Sequence, residues 1–188
     1  MPHDAYVVGY LGRLVAHKRV EIVLETFAAL RSRRSATPLW CIIAGVGPAH
    51  DELTRVAERL GIGERVRFVG WQESAPNALS TIDLFLMPSA DEGLGLTLIE
   101  AAGCSCLVIA SNNGGMMEVM DGALHEYQVA PDGGVDSWVQ ACERLLANSP
   151  GDLERLQSAF RAELMRKFDA TRQWNATAEW VEQYLPER

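Results

Sequence analysis

Two cations and two carboxylates, each set beside glycines, carry the chemistry legible in this chain. Arg13 and Lys18 lie in the turn Gly12-Arg13-Leu14-Val15-Ala16-His17-Lys18, and Glu92 and Glu100 bracket Gly93-Leu94-Gly95-Leu96-Thr97-Leu98-Ile99. An arginine fork and a lysine ammonium can together clamp a diphosphate. A helix expected to open near Leu96 adds backbone N–H groups and partial positive charge, which suit the same anion. Glu100 is the only charged residue from Gly93 to Ala110, and a carboxylate buried in such apolar company needs a partner. Ligand hydroxyls are one such partner. The alternative is its own helix, because Thr97-x-x-Glu100 has the spacing of a capping box. Capping would leave Glu92 and the two glycines unexplained. Arg13 and Lys18, taken singly, read better as solvated surface charges; their projection from the same edge as the Glu92 stretch is what favours a clamp.

These residues need a scaffold, and the chain alternates strands with helices. Apolar runs predict strands over residues 6–11, 39–44, 66–69, 83–87 and 106–110, with a weaker sixth over 125–129. Helical spacing marks residues 18–34, 51–60, a short piece at 76–80, the run from Leu96, and then 135–147, 152–167 and 170–184. The last of these carries Trp174, Ala178, Val181 and Tyr184 along one edge. Strands that are apolar throughout belong to a parallel sheet covered on both faces. The expected fold is therefore α/β, a doubly wound Rossmann-like parallel sheet of about six strands with C-terminal helices. One domain is expected over residues 1–188, with closing helices over about 150–188. Glycine-bearing or polar turns follow strands one to five, among them Gly45-Val46-Gly47-Pro48, Gly70-Trp71 and Asn112-Asn113-Gly114-Gly115. Strand carboxyl ends gather on the one edge of such a sheet where ligands bind.

Composition narrows the partners. The 188 residues are 48% hydrophobic and 22% charged, as in ordinary soluble globular proteins. A net charge of -8 argues against nucleic acid and anionic membrane as main partners. No apolar run approaches the ~18 residues of a spanning helix. The start, Met1-Pro2-His3-Asp4-Ala5-Tyr6, lacks the basic and apolar regions of a signal peptide, so a cytoplasmic location is expected. Cys104-x-Cys106 has the wrong spacing for paired zinc ligands, and Cys41 and Cys142 stand apart. Reduced structural thiols and no metal site are expected. The chain has neither a G-x-G-x-x-G fingerprint nor a G-x-x-x-x-G-K-[ST] loop.

Several motifs keep a familiar order. They are Gly12-Arg13 with Lys18, Gly45-x-Gly47-Pro48, Arg67-Phe68-x-Gly70, Pro88-Ser89 with Glu92-x7-Glu100, and Ala110-Ser111-x-x-Gly114-Gly115-x-x-Glu118. Over residues 6–129 the chain resembles the C-terminal, donor-binding half of GT-B glycosyltransferases, in particular the retaining family 4, or group 1. Residues 168–184 are similar to that family's closing helices. The resemblance implies that Arg13 and Lys18 hold the diphosphate of a nucleotide-sugar and stabilise the leaving group. The amides of Gly95, Leu96 and Thr97 would meet the same diphosphate. Glu100 would take the ribose hydroxyls, Glu92 would lie near the transferred sugar, and Gly45, Gly47 and the Gly70-Trp71 turn would approach the base, mostly through backbone; Gly12 and Gly93 complete the donor-binding set. Arg13, Lys18 and Glu92 are thus the candidate catalytic residues. Cations replace a metal in such enzymes, so no cofactor is expected beyond the nucleotide-diphospho-sugar donor.

The pattern is departed from at Met117, where proline is frequent, and at Ala123-Leu124-His125, where a glycine is usual after Asp121-Gly122. The sugar preference is not read from that loop, and His17 and His125 are given no role. An N-terminal acceptor domain is expected to lie outside these residues and could bring the protein to the inner membrane surface. The acceptor, whether saccharide, lipid or small molecule, is not specified. The chain alone is expected to bind donor without transferring sugar. A non-catalytic nucleotide-sugar-binding module, or a partner subunit of a split transferase, would keep the same residues. A sugar-nucleotide epimerase half would need further carboxylates and histidines.

Overall fold

The apolar runs become strands of one all-parallel sheet. The computed structural model describes residues 5–33, 38–169 and, beyond them, Thr171, Arg172, Trp174, Asn175, Ala178 and Glu179. Its strands are β1 (Tyr6–Leu11), β2 (Leu39–Ala44), β3 (Val66–Gly70), β4 (Leu84–Met87), β5 (Leu107–Ser111) and β6 (Gln128–Val129). They lie in the order β3-β2-β1-β4-β5-β6. β2, β4 and β5 are buried at every position, the signature of a sheet with both faces covered. At the edge, β3 alternates and leaves Arg67 and Val69 exposed. The guanidinium groups of Arg65 and Arg67 lie 5.1 and 4.7 Å from the Trp40 ring centroid, covering an aromatic face near the sheet's edge.

The helices α1 (Val20–Arg33), α2 (His50–Arg59), α3 (Ala75–Leu79), α4 (Leu96–Gly103), α5 (Gly114–Val119), α6 (Val135–Leu146) and α7 (Pro150–Lys167) cover the sheet. α1 packs on α2 and α6, while α4 packs on α3, α5 and α7. The two groups enclose a core that includes Phe27, Ile43, Phe85 and Trp138. Asp83, at the start of β4, fixes the entry to β1 by accepting the Val7 amide at 2.7 Å. Burial pushes its carboxyl above the usual range, partly offset by that bond.

The strand order decides where a ligand can sit. From β1 the chain moves outward through β2 to β3, then returns to the other side of β1 as β4. The connections above β1 and β4 therefore diverge, and a crevice opens between them at the strands' carboxyl ends.

Local expectations change in three places. Residues 112–115 do not form a plain turn, because Gly114 and Gly115 open α5. The sixth strand keeps only two residues, and His125–Tyr127 before it is a 3-10 turn. Lys18 is not in α1: Ala16–Lys18 make another 3-10 turn, closed by Arg19 at φ 52°, and the α-helix starts at Val20. Trp174 is helical and 74% exposed; Trp180, Val181 and Tyr184 lie outside the described residues. No disulfide joins the four cysteines, and burial raises the pKa of the Cys41 and Cys106 thiols, keeping them protonated. Among the described residues no helix is long and apolar enough to cross a membrane.

Candidate functional site

The turns after β1, β2 and β3 are stitched together before any ligand arrives. Gly12 N donates to Ala44 O at 3.0 Å, Leu14 N to Val46 O at 3.0 Å, and Gly45 N to Gly70 O at 2.7 Å. Gly45 has φ 137°, and a Cβ there would stand 1.8 Å from Gly12 O. Any side chain at Gly45 would therefore push the first two turns apart. A Cβ at Gly47 would likewise come within 2.2 Å of Leu14 O. With the loop after β4 and the start of α4, these turns enclose a cleft of about 360 Å³, within the usual range for a small-molecule site.

The cleft gathers most of the expected residues. Gly12, Arg13, Lys18, Gly45, Trp71, Glu92, Thr97 and Glu100 line it. Gly47 and Gly70 act behind it through the turns just described, and Gly93, Gly95 and Leu96 form the connection from Glu92 into α4. Arg13 is exposed and its guanidinium has no partner among the described residues. Lys18 instead pairs with Glu92, the two side chains being 12% and 18% exposed. Trp71 is 72% exposed on the cleft wall.

At α4 the structure corrects the reading of Glu100. The helix is capped by Gly95, at φ 74° and with no side-chain cap, so Thr97 is the second helical residue and the capping box is not made. Nor is Glu100 buried. α4 buries Leu98, Ala101 and Ala102 and turns Leu96 and Glu100, one helical turn apart, outward. The Glu100 carboxylate lines the cleft and makes no hydrogen bond or ion pair with the described residues. The amides of Leu96 and Thr97 also have no acceptor among them, leaving the start of α4 open to an anion.

Tyr10 was not among the expected site residues. It is 2% exposed, its ring stacks on Phe85 at 6.4 Å, and its hydroxyl donates to Arg13 O at 3.1 Å. Burial, then the charge of Glu92, pushes the hydroxyl above its usual value against the opposing pull of Arg13, so it remains a donor. A Cβ at Gly12 would stand 2.6 Å from that hydroxyl. The only hint in the sequence was a second phenol, beside Tyr6, near the end of the apolar run Tyr6-Val7-Val8-Gly9-Tyr10-Leu11.

A second hollow, about 240 Å³, lies between the starts of α1 and α2. Its charged lining residues are Glu21 and Glu52, which repel an anion. Among the described residues no group of three or more His, Cys, Asp or Glu side chains is placed to hold a metal ion.

Fold and cleft together define a doubly wound α/β unit of GT-B type with an anion-suited crevice at its switch point. The chain belongs to the glycosyl transferases group 1 family, whose model matches residues 1–162. LpsD of Rhizobium meliloti, a lipopolysaccharide core biosynthesis glycosyltransferase, is 33% identical over 168 residues, covering 89% of this chain and 46% of LpsD. Anabaena HepE, solved in complex with UDP and glucose, superposes with a TM-score of 0.81 at 24% identity, over 96% of this chain and 49% of HepE. The C-terminal domain of LpcC from Francisella tularensis, a glycosyl transferase group 1 family protein, superposes with a TM-score of 0.72 at 20% identity, over 87% of this chain and 85% of that domain. The chain spans about a third to a half of the length of the curated relatives it matches.

Proposed function

We propose that this chain is the donor-binding half of a retaining glycosyltransferase that takes a hexose from a nucleotide-diphospho-sugar. One observation carries the proposal: the guanidinium of Arg13 and the carboxylate of Glu100, neither paired among the described residues, share a cleft with the open amides of α4. Arg13 and those amides take the diphosphate, joined by Lys18 once it leaves Glu92. As the bond from the anomeric carbon to the diphosphate breaks, negative charge grows on the leaving oxygen. Fixed cations already facing it stabilise that charge without reorganising. This gives the cleft a means of leaving-group stabilisation that requires no metal.

Glu100 receives the ribose hydroxyls, Glu92 faces the transferred sugar, and the Gly45, Gly47 and Gly70-Trp71 turns take the base. The acceptor is held by a second domain outside these residues, in keeping with the length of the relatives and the likeness to a C-terminal domain. Without that domain the chain binds donor and transfers nothing, because positioning of the acceptor supplies roughly 7–11 kcal/mol of barrier reduction.

Thermal melting with UDP-, GDP- and ADP-linked hexoses tests the proposal. A true donor at about 100 times its dissociation constant adds ~2.7 kcal/mol of stability. No shift with any of them, at millimolar concentration, would remove the donor-binding reading. Acceptor-dependent turnover by the 188-residue chain would remove the half-enzyme reading.

A further inference from the structure

Building on the donor-site reading, we propose that Asn113 is a positioning residue that sets Glu92 against Lys18 by gripping the loop after β4. The Asn113 side-chain amide donates to two successive carbonyls of that loop, Ser89 O at 2.7 Å and Ala90 O at 3.0 Å. Two carbonyl acceptors fix which end of the amide faces them. The amide of Ala90 in turn donates to His17 O at 2.8 Å, and His17 precedes Lys18. One side chain thus ties the loop that leads to Glu92 to the turn that presents Lys18.

The grip continues beyond Glu92. Gly115 N donates to Gly93 O at 2.6 Å. Cβ atoms at Gly114 and Gly115 would each stand 2.1 Å from a carbonyl, that of Glu92 and that of Gly93 respectively. Residues 113–115 therefore lie flush against the loop on both sides of Glu92. Their own base is firm. Met116 and Val119 of α5 are fully buried, and Lys167 donates to Glu118 O and Asp121 O at 3.1 and 2.9 Å at the far end of the helix.

Asparagine is suited to this place because its NH2 group has two donors for two carbonyls. Aspartate, nearly the same shape, turns acceptors toward acceptors. Alanine leaves both carbonyls unmet. In either case the loop loses its tie, and the Glu92 carboxylate loses its fixed place beside the sugar. Recognition of the sugar should suffer more than recognition of the diphosphate, which has Arg13 and the α4 amides as well.

The test compares Asn113→Ala, Asn113→Asp and Ser149→Ala with the unsubstituted chain. Ser149 caps α7 by accepting the Asp152 amide at 3.3 Å, so its loss lowers the melting temperature without touching the loop. Affinities for UDP-, GDP- and ADP-linked hexoses and for the matching free diphosphates are measured by calorimetry, and exchange of the Ala90 and Gly115 amides by NMR. Both Asn113 variants should lose about tenfold in nucleotide-sugar affinity while nucleoside diphosphate affinity stays within about threefold. The Ala90 amide should exchange faster in both. Ser149→Ala should melt lower with the ratio of the two affinities unchanged. A ratio equally unchanged in the Asn113 variants would overturn the positioning role. If the unsubstituted chain binds neither ligand, the donor-site reading falls, and undiminished Ala90 protection in both Asn113 variants would overturn the grip as well.

Discussion

The ammonium of Lys18 is paired with the carboxylate of Glu92, 74 residues away in sequence. Lys18 follows β1 and Glu92 follows β4, so the pair spans the point where the sheet reverses its order. Both side chains are mostly buried, where their attraction is less screened than at the surface. In the open cleft Glu92 therefore competes with any phosphate for Lys18.

That competition has a measurable consequence. Glu92→Gln removes the competing charge, so binding of a free nucleoside diphosphate should tighten by about fivefold, or ~1 kcal/mol for a partly buried pair. Binding of the nucleotide-sugar should not gain, because the sugar loses its carboxylate. Calorimetry on both ligands decides it, and weaker diphosphate binding by Glu92→Gln would contradict the competition.

Glu100 offers a cleaner separation of stability from binding. Its carboxylate is exposed and has no partner among the described residues, so Glu100→Gln should change stability by less than about 0.5 kcal/mol. Nucleotide affinity should drop about tenfold through loss of a charged hydrogen bond to the ribose. Chemical denaturation and a nucleotide titration give the two numbers. A destabilised variant with intact affinity would assign Glu100 to the fold.

How much of this was legible beforehand follows from what each residue does. The strands could be read because apolar side chains shielded on both faces leave unbroken runs, as in Leu39-Trp40-Cys41-Ile42-Ile43-Ala44. The residues facing the cleft could be read because glycines and charges interrupt those runs at strand ends. Burial of Glu100 was misread, since an apolar run does not reveal that Leu96, 67% exposed, and Glu100 share the outward face of α4. α5 was hidden by its opening glycines, which are required by the close approach of the Glu92 loop and not by a turn. Asn113 and Tyr10 were beyond reach for another reason. Asn113 acts through two carbonyls more than 20 residues away, and Tyr10 through the backbone of Arg13 rather than through the ligand; neither contact is written in residue type or spacing.

A pH dependence is built into the contact between α7 and the loop after α5. Glu163 pairs with Lys167 at 2.9 Å and accepts the Ala123 amide at 3.2 Å. Partial burial raises its carboxyl pKa, but the bonds from Lys167 and Ala123 and the charges of Lys167 and Arg166 outweigh this and hold it below its usual 4.5. A lowered folded value means that ionised Glu163 stabilises the fold above pH 4.5 and that the contribution is lost as pH falls through the lowered value. Urea unfolding between about pH 7 and about pH 3 should show the unsubstituted chain losing stability faster than Glu163→Gln, with the curves converging at the acid end. Parallel curves would contradict it.

The central claim is that Arg13 and Lys18 grip a diphosphate, and the most direct measurement is the affinity of Arg13→Ala and Lys18→Ala for a nucleoside and for its diphosphate. Charged hydrogen bonds of this kind are worth roughly 1.5–3 kcal/mol. Arg13→Ala should weaken diphosphate binding by about tenfold or more and leave the nucleoside almost unchanged. Lys18→Ala should do the same with a smaller loss, because Lys18 must first leave Glu92. Equal losses for nucleoside and diphosphate, or none for either, would contradict the account.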